Sequence, residues 1–427
     1  MEKVITAIDL GTTKFFGLTG VVKKSDISPD VEPNIEIKGV EIIQTEENWI
    51  KGGRIGNIEG VVSGLIDILD SLRKQSREKI EWINVGVGGG HIKGKIYSKK
   101  IEIVPKGRQI NKGDIQILER EMKNIIMPEL EGNRDIIFII PQEYIIDDNY
   151  GVPIENLPIG MHGDTLEMRA HILTGEINPI KDIYKCADMA GVNVEPNIFP
   201  YSWAVAEAVL NEEEKKMGCI LIDIGKSTTD FVFYSEGKII LTESLQIGSY
   251  LIDSDISLIF HTSLDLAEEL KKKYTRCDYK DLLEARREEV RKVEIYNPSG
   301  KLIRKVGIDE ISNVVYLRMK EIFELIWQLI QKKAMKTGKI PIKISEVVIS
   351  GGGAKLEGIE KLAEEIFQLP ARIGIPQKIF NLDKNYQKPE FAAGIGLLLI
   401  ASKLVKEEDK NIFKKIKRWL SELFQFS

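Results

Sequence analysis

The sequence is poor in the residue types that build disulfide-stabilised domains or structural metal sites. Its 427 residues include three cysteines and four histidines. The cysteines, Cys186, Cys219 and Cys277, are widely spaced, and the chain has no C-x-x-C pair or Cys/His cluster. This argues against a disulfide framework and a structural zinc site, and it predicts a cytosolic protein with reduced thiols.

Long apolar runs and a strong net charge are also missing. The longest uncharged apolar stretch, Phe391–Ser402, is far shorter than the roughly 20 residues that a membrane-spanning helix needs. The first residues, MEKVITAIDLG, contain no apolar segment typical of a signal peptide. The net charge is −5, so nucleic acid is not an expected partner. With 43% hydrophobic residues, the chain is expected to form about two to four globular domains.

Two similar stretches, far apart in the chain, carry the clearest chemical pattern. One reads VITAIDLGTTKFF (Val4–Phe16), and the other reads CILIDIGKSTTDFVF (Cys219–Phe233). Each predicts a buried strand, a tight turn and a returning strand. Glycine lets backbone N–H groups approach an anion closely, and the hydroxyl groups that follow add donors. The pair therefore predicts a duplicated fold in which two phosphate-binding hairpins face each other across a cleft.

The candidate nucleotide-binding residues of these hairpins include Asp9, Asp223 and the following residues: Gly11, Thr12, Thr13, Lys14, Gly225, Lys226, Ser227, Thr228 and Asp230. Carboxylates repel phosphates, so Asp9 and Asp223 are predicted to hold Mg²⁺, largely through water. Lys226 has two possible roles, either as an extra positive charge at the phosphates or as a side chain that points outward.

A third motif, EVVISGGGAKLE, runs from Glu346 to Glu357. It predicts a short apolar strand, a loop with Gly351, Gly352, Gly353 and Lys355, and a helix over Leu356–Phe367. Three successive glycines remove side chains where a flat or anionic ligand lies against the backbone at a helix N-terminus. Together with the two hairpins, this favours an adenosine-binding loop over an ordinary connection.

The order and spacing of these motifs resemble the actin-like ATPase superfamily. From about Val4 to Phe426 the chain resembles its FtsA family of bacterial cell-division proteins. Further matching stretches are VGVGGGHI (Val85–Ile92), IPQEYIID (Ile140–Asp147) and AEAVLNEEEKKMG (Ala206–Gly218). The resemblance implies an α/β fold with two RNase H-like domains around a nucleotide cleft, with ATP and Mg²⁺ as ligands.

The resemblance also implies a domain organisation. Domain 1A is expected at residues 1–84 and 170–204, subdomain 1C at 85–169, domain 2A at 205–247 and 307–404, and subdomain 2B at 248–306. The C-terminal tail of FtsZ is expected to bind 2B, and neighbouring subunits and later division proteins to bind 1C. Lys271, in a helix over Leu264–Tyr274, is implied to reach the nucleotide, although a solvated basic helix end is the alternative.

Within the expected insert, Gly86–Gly90 forms a glycine-rich loop. We do not expect it to bind phosphate, because the residues that follow predict a strand over Lys95–Val104 rather than a helix. A helix is predicted over Asn111–Asn124, with Asn111 as its N-cap and Asp114 at the capping-box position.

Hydrolysis is expected to be slow. The actin-like superfamily often carries a water-positioning acid in a Glu-Pro pair, at the start of the helix predicted here over Asn197–Leu210. In this chain the pair is Phe199-Pro200, and Glu207 lies too far along the helix to replace it. Without a general base, attacking water is poorly activated.

The C-terminal tail, Lys410–Phe426, reads KNIFKKIKRWLSELFQF. Apolar residues recur at steps of three and four, and basic residues occupy the remaining positions, which predicts an amphipathic helix lying on a membrane surface with anionic lipid. A helix docked on the body or on a partner is the alternative. The candidate membrane-contacting residues are Ile412, Phe413, Lys414, Lys415, Ile416, Lys417, Arg418, Trp419, Leu420, Leu423 and Phe424.

The function implied by the resemblance is an ATP-binding tether that links FtsZ filaments to the inner face of the cell membrane at the septum. Self-polymerisation and recruitment of later division proteins are implied as well. A pilus-assembly ATPase of the superfamily is one alternative, and it is expected to lack the basic tail. A small-molecule kinase needs a substrate-site acid, and a chaperone-type ATPase needs a peptide-binding domain for which about 25 residues leave no room.

Overall fold

The computed structural model describes residues 2–23, 35–153, 157–278, 291–333, 342–377, 379 and 381–407. The predicted amphipathic tail, Lys410–Phe426, lies outside the described residues. In the part of the chain that is described, no helix combines the length and the apolar character needed to cross a membrane.

The first sheet is built around the predicted first hairpin. Strands β1 (Glu2–Leu10), β2 (Lys14–Lys23) and β3 (Ile35–Gln44) form an antiparallel meander. A short hairpin, β4 (Ile50–Lys51) and β5 (Arg54–Ile55), precedes helix α1 (Ile58–Ser76). Strand β6 (Trp82–Val87) pairs with β1 in parallel. The apolar side of α1 is buried because its residues recur at helical spacing, as at Val61, Leu65 and Leu72.

An inserted module follows β6. It comprises β7 (Lys93–Glu102), α2 (Lys112–Ile126), a 3₁₀ turn at Met127–Glu129, β8 (Arg134–Ile146), β9 (Tyr150–Pro153) and β10 (Thr165–Glu176). A strand does follow the Gly86–Gly90 loop, although it begins at Lys93 rather than Lys95. Strand β10 pairs with β7 and β8 along its length, so the predicted boundary at residue 169 falls inside this strand. We call residues 93–176 the insert below.

The chain then returns to the first sheet before it enters the second half. Helix α3 (Ile177–Met189) packs on α1, and β11 (Asn193–Val194) and β12 (Phe199–Pro200) both pair with β6. Helix α4 (Tyr201–Val209) leads to α5 (Glu212–Met217). The helix predicted from Asn197 therefore begins at Tyr201, because Phe199 and Pro200 are held in extended conformation by β6.

The second sheet repeats the arrangement of the first. Strands β13 (Cys219–Ile224), β14 (Thr229–Ser235) and β15 (Lys238–Leu245) form an antiparallel meander. Strand β18 (Glu346–Ser350) pairs with β13 in parallel, and β19 (Ala371–Ile373) pairs with β18. The same strand order in both halves confirms the predicted duplicated α/β fold.

The remaining described elements complete the second half. They are α6 (Tyr250–Phe260), α7 (Leu264–Tyr274), the hairpin β16 (Lys292–Tyr296) and β17 (Leu302–Gly307), α8 (Ile308–Lys333), α9 (Ile359–Phe367) and α10 (Ala392–Glu407). Short 3₁₀ turns occupy Gly352–Lys355, Lys384–Tyr386 and Pro389–Phe391. Helix α9 begins at Ile359 rather than at the predicted Leu356, because Gly358 adopts a left-handed conformation with φ of 75°.

Helices α4 and α10 lie against each other at very short range. A Cβ atom on Gly396 of α10 would lie 1.7 Å from the carbonyl oxygen of Ala204, so only glycine permits this contact. Helix α4 also packs against β6, β13 and β14. It therefore connects the first sheet, the second sheet and the last described helix.

Candidate functional site

The two predicted hairpins meet directly in the structure. The hydroxyl oxygens of Thr12 and Ser227 lie 2.7 Å apart, one from each turn. Both turns close with the same backbone bond, since Gly11 N–H donates to Lys14 O at 3.1 Å and Gly225 N–H donates to Thr228 O at 2.9 Å. The hairpins thus form a matched pair whose hydroxyl groups converge at one point.

The carboxylates of Asp9 and Asp223 lie behind these turns, near the ends of β1 and β13. Their surroundings disfavour negative charge. Burial raises the pKa of Asp9 to about 6 against the opposing effect of Lys14. Burial also raises the pKa of Asp223 well above its usual range, with Asp230 and Asp9 contributing in the same direction. Such carboxylates gain stability when a cation lies close to them.

Asp230 is the third carboxylate of this group, and it lies opposite Asp223 in the pairing of β13 with β14. It is buried, which raises its pKa, and it accepts a hydrogen bond from Thr228 Oγ1 at 3.1 Å. Ser244, its neighbour on β15, accepts a hydrogen bond from Gly89 N–H at 2.9 Å. The Gly86–Gly90 loop therefore contacts the cleft through its backbone, although no helix N-terminus follows it.

The third motif lies against the second hairpin. A Cβ atom on Gly351 would lie 2.3 Å from Asp223 Oδ1, and one on Gly353 would lie 2.3 Å from Ile224 Cγ2. A Cβ atom on Gly352 would meet nothing within 4 Å. Gly351 and Gly353 therefore permit close packing, whereas Gly352 borders open space.

The lysines of the first and third motifs lie near one acidic residue, Glu390. Lys355 Nζ lies 2.9 Å from Glu390 Oε1. Lys14 Nζ lies over the Phe391 ring at 4.1 Å from its centroid, and burial lowers the pKa of Lys14. Both amines are thus held at the side of the cleft formed by the start of α10.

Lys226 forms an ion pair with helix α7. Its Nζ lies 3.1 Å from Glu268 Oε2 on α7. Against the opposing effect of burial, hydrogen bonds from Lys272 and Lys226 lower the pKa of Glu268 to about 2. The turn itself is bound to the start of α6, since Tyr250 N–H donates to Lys226 O at 2.9 Å.

Lys271 is not a solvated helix end. It is 7% exposed, and its Nζ lies 2.7 Å from Asp253 Oδ1 and 3.2 Å from Ser249 O. Ser249 N–H in turn donates to Gly225 O at 3.0 Å. Lys271 therefore supports the segment beneath the second hairpin, and in this structure its amine is occupied by protein partners.

Tyr201 is a cleft residue that sequence reasoning missed. Its hydroxyl oxygen accepts a hydrogen bond from Leu10 N–H at 3.0 Å and is hydrogen-bonded to Asp9. The ring packs on Gly86 and Gly88, where Cβ atoms would lie 2.4 and 3.0 Å from it. Its place directly after Phe199-Pro200, the pair already singled out in the sequence, was a usable signal.

Metal binding by protein side chains alone is not supported. Among the residues that the structure describes, no group of three or more His, Cys, Asp and Glu side chains is arranged to hold a metal ion. A site with Asp9 and Asp223 requires water or ligand oxygens for its remaining positions, as is common for Mg²⁺. The donor set fits that ion, since all of its side-chain donors are oxygen atoms.

Comparison with known proteins gives consistent matches. A family model described as "Cell division protein FtsA" matches residues 220–396, and one described as "SHS2 domain inserted in FTSA" matches residues 89–174. The cell division protein FtsA of Borreliella burgdorferi is 30% identical over 419 residues, which cover 98% of this chain and 95% of that protein.

Solved structures with the same fold are more distant in sequence. The PilM–PilN type IV pilus biogenesis complex aligns with a TM-score of 0.65 and 13% identity, covering 93% of this chain and 98% of that chain. MreB5 of Spiroplasma citri bound to ADP aligns with a TM-score of 0.52 and 16% identity, covering 96% and 99%. These structures establish the actin-like fold, while the sequence relatives establish the family. The chain belongs to the FtsA family of cell-division proteins, in the actin-like ATPase superfamily.

Proposed function

We propose that this cell-division protein binds ATP with Mg²⁺ between its two hairpins and uses the ligand mainly to control its own assembly. The observation that carries this is the matched pair of turns, joined at Thr12 and Ser227, with Asp9 and Asp223 behind them. Backbone N–H groups and hydroxyls are suitable donors to phosphate oxygens. The raised pKa values of the two carboxyl groups indicate that a bound cation stabilises their charged forms.

We assign the parts of ATP to the two turns and to the glycine loop as follows. Gly11–Thr13 and Gly225–Thr228 hold the phosphates, and Gly351–Gly353 holds the adenosine, with Gly352 facing it. Mg²⁺ would supply positive charge between the carboxylates and the phosphates. An actin-like structure bound to ADP, that of MreB5, supports a nucleotide in a cleft of this kind.

We further propose that the tail tethers the protein to the inner face of the cell membrane. Helix α10 ends at Glu407, and the amphipathic segment Lys410–Phe426 follows within a few residues. Each basic residue near an anionic leaflet contributes about 1 kcal/mol, and the apolar face adds to this. One such helix gives reversible binding, so filaments that present many tails would bind far more strongly than monomers.

The C-terminal tail of FtsZ is proposed to bind subdomain 2B. Exposed apolar side chains occur there on α6 and on the β16–β17 hairpin, with Leu258 70% exposed and Leu302 44% exposed. Basic residues lie close by, including Arg304, whose guanidinium is 5.4 Å from the Phe260 ring centroid. This combination suits an extended peptide with apolar and acidic side chains.

Self-polymerisation and recruitment of later division proteins complete the proposal, with the insert as the contact surface. Val104, two residues after the insert's first strand, is an apolar side chain that is 72% exposed. Strand β9 lies at the edge of the nine-stranded sheet. Exposed apolar residues and a sheet edge are both features that favour contact with another chain.

A reconstitution experiment tests the tether. Full-length protein, ATP, Mg²⁺ and purified FtsZ are sedimented with anionic liposomes, beside a variant truncated after Glu407. The full-length protein is expected to bring FtsZ into the pellet, and the truncated variant is expected to leave FtsZ in the supernatant while still binding ATP. Equal sedimentation of FtsZ by both proteins would refute the tether.

A further inference from the structure

The insert is joined to the second sheet rather than to the first. Strand β7 pairs antiparallel with β15, with Lys93 opposite Glu243 and Lys95 opposite Leu241. The resulting nine-stranded sheet runs in the order β19-β18-β13-β14-β15-β7-β10-β8-β9. In sequence, however, the insert lies between β6 and α3, which both belong to the first half. Its position in the chain and its position in the fold therefore differ.

Buried polar contacts stabilise the boundary between the insert and β15, which we call the seam. Thr242 Oγ1 on β15 lies 3.0 Å from His171 Nε2 on β10 and accepts a hydrogen bond from Trp203 Nε1–H at 2.9 Å. His171 and Thr242 are almost completely buried. The approach is close enough to require glycine at position 94, where a Cβ atom would lie 2.4 Å from His171 Nε2. Buried hydrogen bonds of this kind are costly to break, because the separated groups cannot reach water.

Two further contacts lie along the same seam, between β8 and β15. Ile239 N–H donates to Gln142 Oε1 at 3.0 Å, and Lys238 Nζ lies 3.1 Å from Glu143 Oε2. The second half thus holds the insert through strand pairing, through a buried bridge and through these side-chain contacts. The strand pairing and the hydrogen bonds among these contacts are directional and depend on fixed positions.

Beside the hinge, one backbone hydrogen bond joins the insert to the first half, from Ile177 N–H to Asn133 O at 3.0 Å. The other contacts between the insert and the first half are of a different kind. Arg54 and Glu176 form an ion pair whose side chains are 40% and 33% exposed. Phe138 stacks on Phe199 with ring centroids 5.1 Å apart. Apolar surfaces and exposed ion pairs tolerate small sliding movements far better than a strand ladder does.

We propose that the insert moves with the second half of the molecule as one body. Opening or closing of the cleft then changes the position of the insert relative to the first half, with the connections at Gly88–Ile92 and Glu176–Ile177 acting as hinges. A second copy of this chain that touches both the insert and the first half would bind differently in the two states. The effect of the cleft ligand rests on the ATP binding proposed above, whereas the rigid attachment does not.

Distance measurements between pairs of spin labels test this proposal. Suitable exposed positions are Ser63 on α1, Gln116 on α2 and Gln328 on α8, each replaced by cysteine in pairs. The three native cysteines are buried and stay in place. Double electron–electron resonance is recorded on the full chain without ligand and with ATP and Mg²⁺, and ATP binding is measured on the same labelled samples.

Without ligand, the Gln116–Gln328 distances are expected to be more narrowly distributed than the Ser63–Gln116 distances. With ATP and Mg²⁺, the Ser63–Gln116 and Ser63–Gln328 distances shift while the Gln116–Gln328 distance stays the same. A shift confined to the pairs that contain Gln328, or bound ATP without any shift, would overturn the proposal. If ATP does not bind, the proposed nucleotide function fails, and the ligand-free distributions still decide how the insert is attached.

A pair of substitutions distinguishes the effect of a weakened seam from the effect of a general loss of stability. Thr242→Val removes the hydroxyl that joins His171 and Trp203, so it is expected to broaden the Gln116–Gln328 distances. Thr19→Val is the matched control, because it removes a buried hydroxyl from the Thr6–Thr19 pair of the first sheet, 3.0 Å apart. Equal broadening in both variants, or in neither, would contradict the attachment through this seam.

Discussion

At the scale of single residues, the two hairpins are alike in backbone and different in charge. Asp9 and Asp223 hold equivalent places, but the residue paired with Asp9 is Phe16, whereas the residue paired with Asp223 is Asp230. Tyr201 is hydrogen-bonded to Asp9. The second hairpin therefore carries two neighbouring carboxylates, while the first carries one carboxylate held by a phenol.

Gly352→Asp is expected to weaken ATP binding by tenfold or more, which corresponds to at least about 1.4 kcal/mol. Position 352 borders open space, so the new side chain fits, but its charge faces the proposed nucleotide. Gly352→Asn has nearly the same shape without the charge and serves as the control. Calorimetric titration with ATP and Mg²⁺ measures both, and equal affinities for the two variants would argue against a nucleotide at this loop.

Tyr201→Phe is expected to weaken Mg²⁺-dependent ATP binding. Loss of the hydroxyl leaves Leu10 N–H and the Asp9 carboxylate without this partner, at a cost of about 1–3 kcal/mol. ATP binding in the presence of EDTA should change much less, because the affected group is the one assigned to the metal. Tyr184→Phe is the control, because it removes a hydroxyl on α3 that donates to Pro196 O at 3.4 Å instead of contacting Asp9. An identical loss with and without Mg²⁺ would assign Tyr201 a purely structural role.

At the scale of elements, the start of helix α2 shows what neighbouring residues encode. The capping box predicted for α2 is confirmed, because Asn111 Oδ1 accepts from Asp114 N–H and Asp114 Oδ2 accepts from Asn111 N–H at 2.8 Å. The structure adds Arg108, whose guanidinium lies 2.6 Å from Asp114 Oδ1. Two groups, Asn111 N–H and the Arg108 guanidinium, therefore donate to the Asp114 carboxylate at the start of this helix.

Asp114→Asn is expected to destabilise α2 by about 1 kcal/mol or more at neutral pH, through loss of the cap and of the ion pair. Hydrogen bonds from Arg108 lower the pKa of Asp114, so its stabilising effect is present above its unfolded pKa and is lost as pH falls through the folded value. Amide exchange over residues 112–126 should therefore differ between wild type and variant at pH 7 and converge in acid. A difference that does not shrink in acid would contradict this assignment.

The amphipathic tail is the element with the most direct test. Trp419→Glu places a charge in the apolar face, so it is expected to release the protein from anionic liposomes without affecting ATP binding. Trp82→Glu is the matched control, because Trp82 is 48% exposed on the body of the protein. Co-sedimentation of the Trp419→Glu variant at the wild-type level would instead favour a helix that docks on a protein partner.

At the scale of the whole molecule, the cleft resembles a binding site more than an efficient catalytic site. The ring of Phe199, where the sequence resemblance implied a water-positioning acid, stacks on Phe138. Steady-state ATP hydrolysis is expected to be slower than about 1 s⁻¹, the lower end of common enzyme turnover. Phosphate release measured beside an Asp9→Ala control tests this, and faster turnover that the control abolishes would require another general base.

The sequence by itself determined the family and the local motifs, which are turns, a glycine loop and a helix cap. Strand, turn and strand in Val4–Phe16 and Cys219–Phe233, the three glycines from Gly351 and the cap at Asn111 are each encoded by neighbouring residues. Backbone preferences and side-chain spacing act over a few positions, so such features can be predicted without knowledge of the rest of the chain. The duplicated fold could be predicted because the same strand–turn–strand motif occurs twice.

Only the tertiary structure decided which distant residues meet. A solvated helix end was one interpretation of Lys271, yet its side chain is buried against Asp253. The insert lies within the first half of the chain, yet its strand β7 pairs with β15 of the second half. No sequence motif linked Tyr201 to Asp9, yet the two side chains are hydrogen-bonded in the structure. These outcomes depend on burial and pairing between residues far apart in sequence, and the energy of such contacts exists only once the whole fold has brought the partners together.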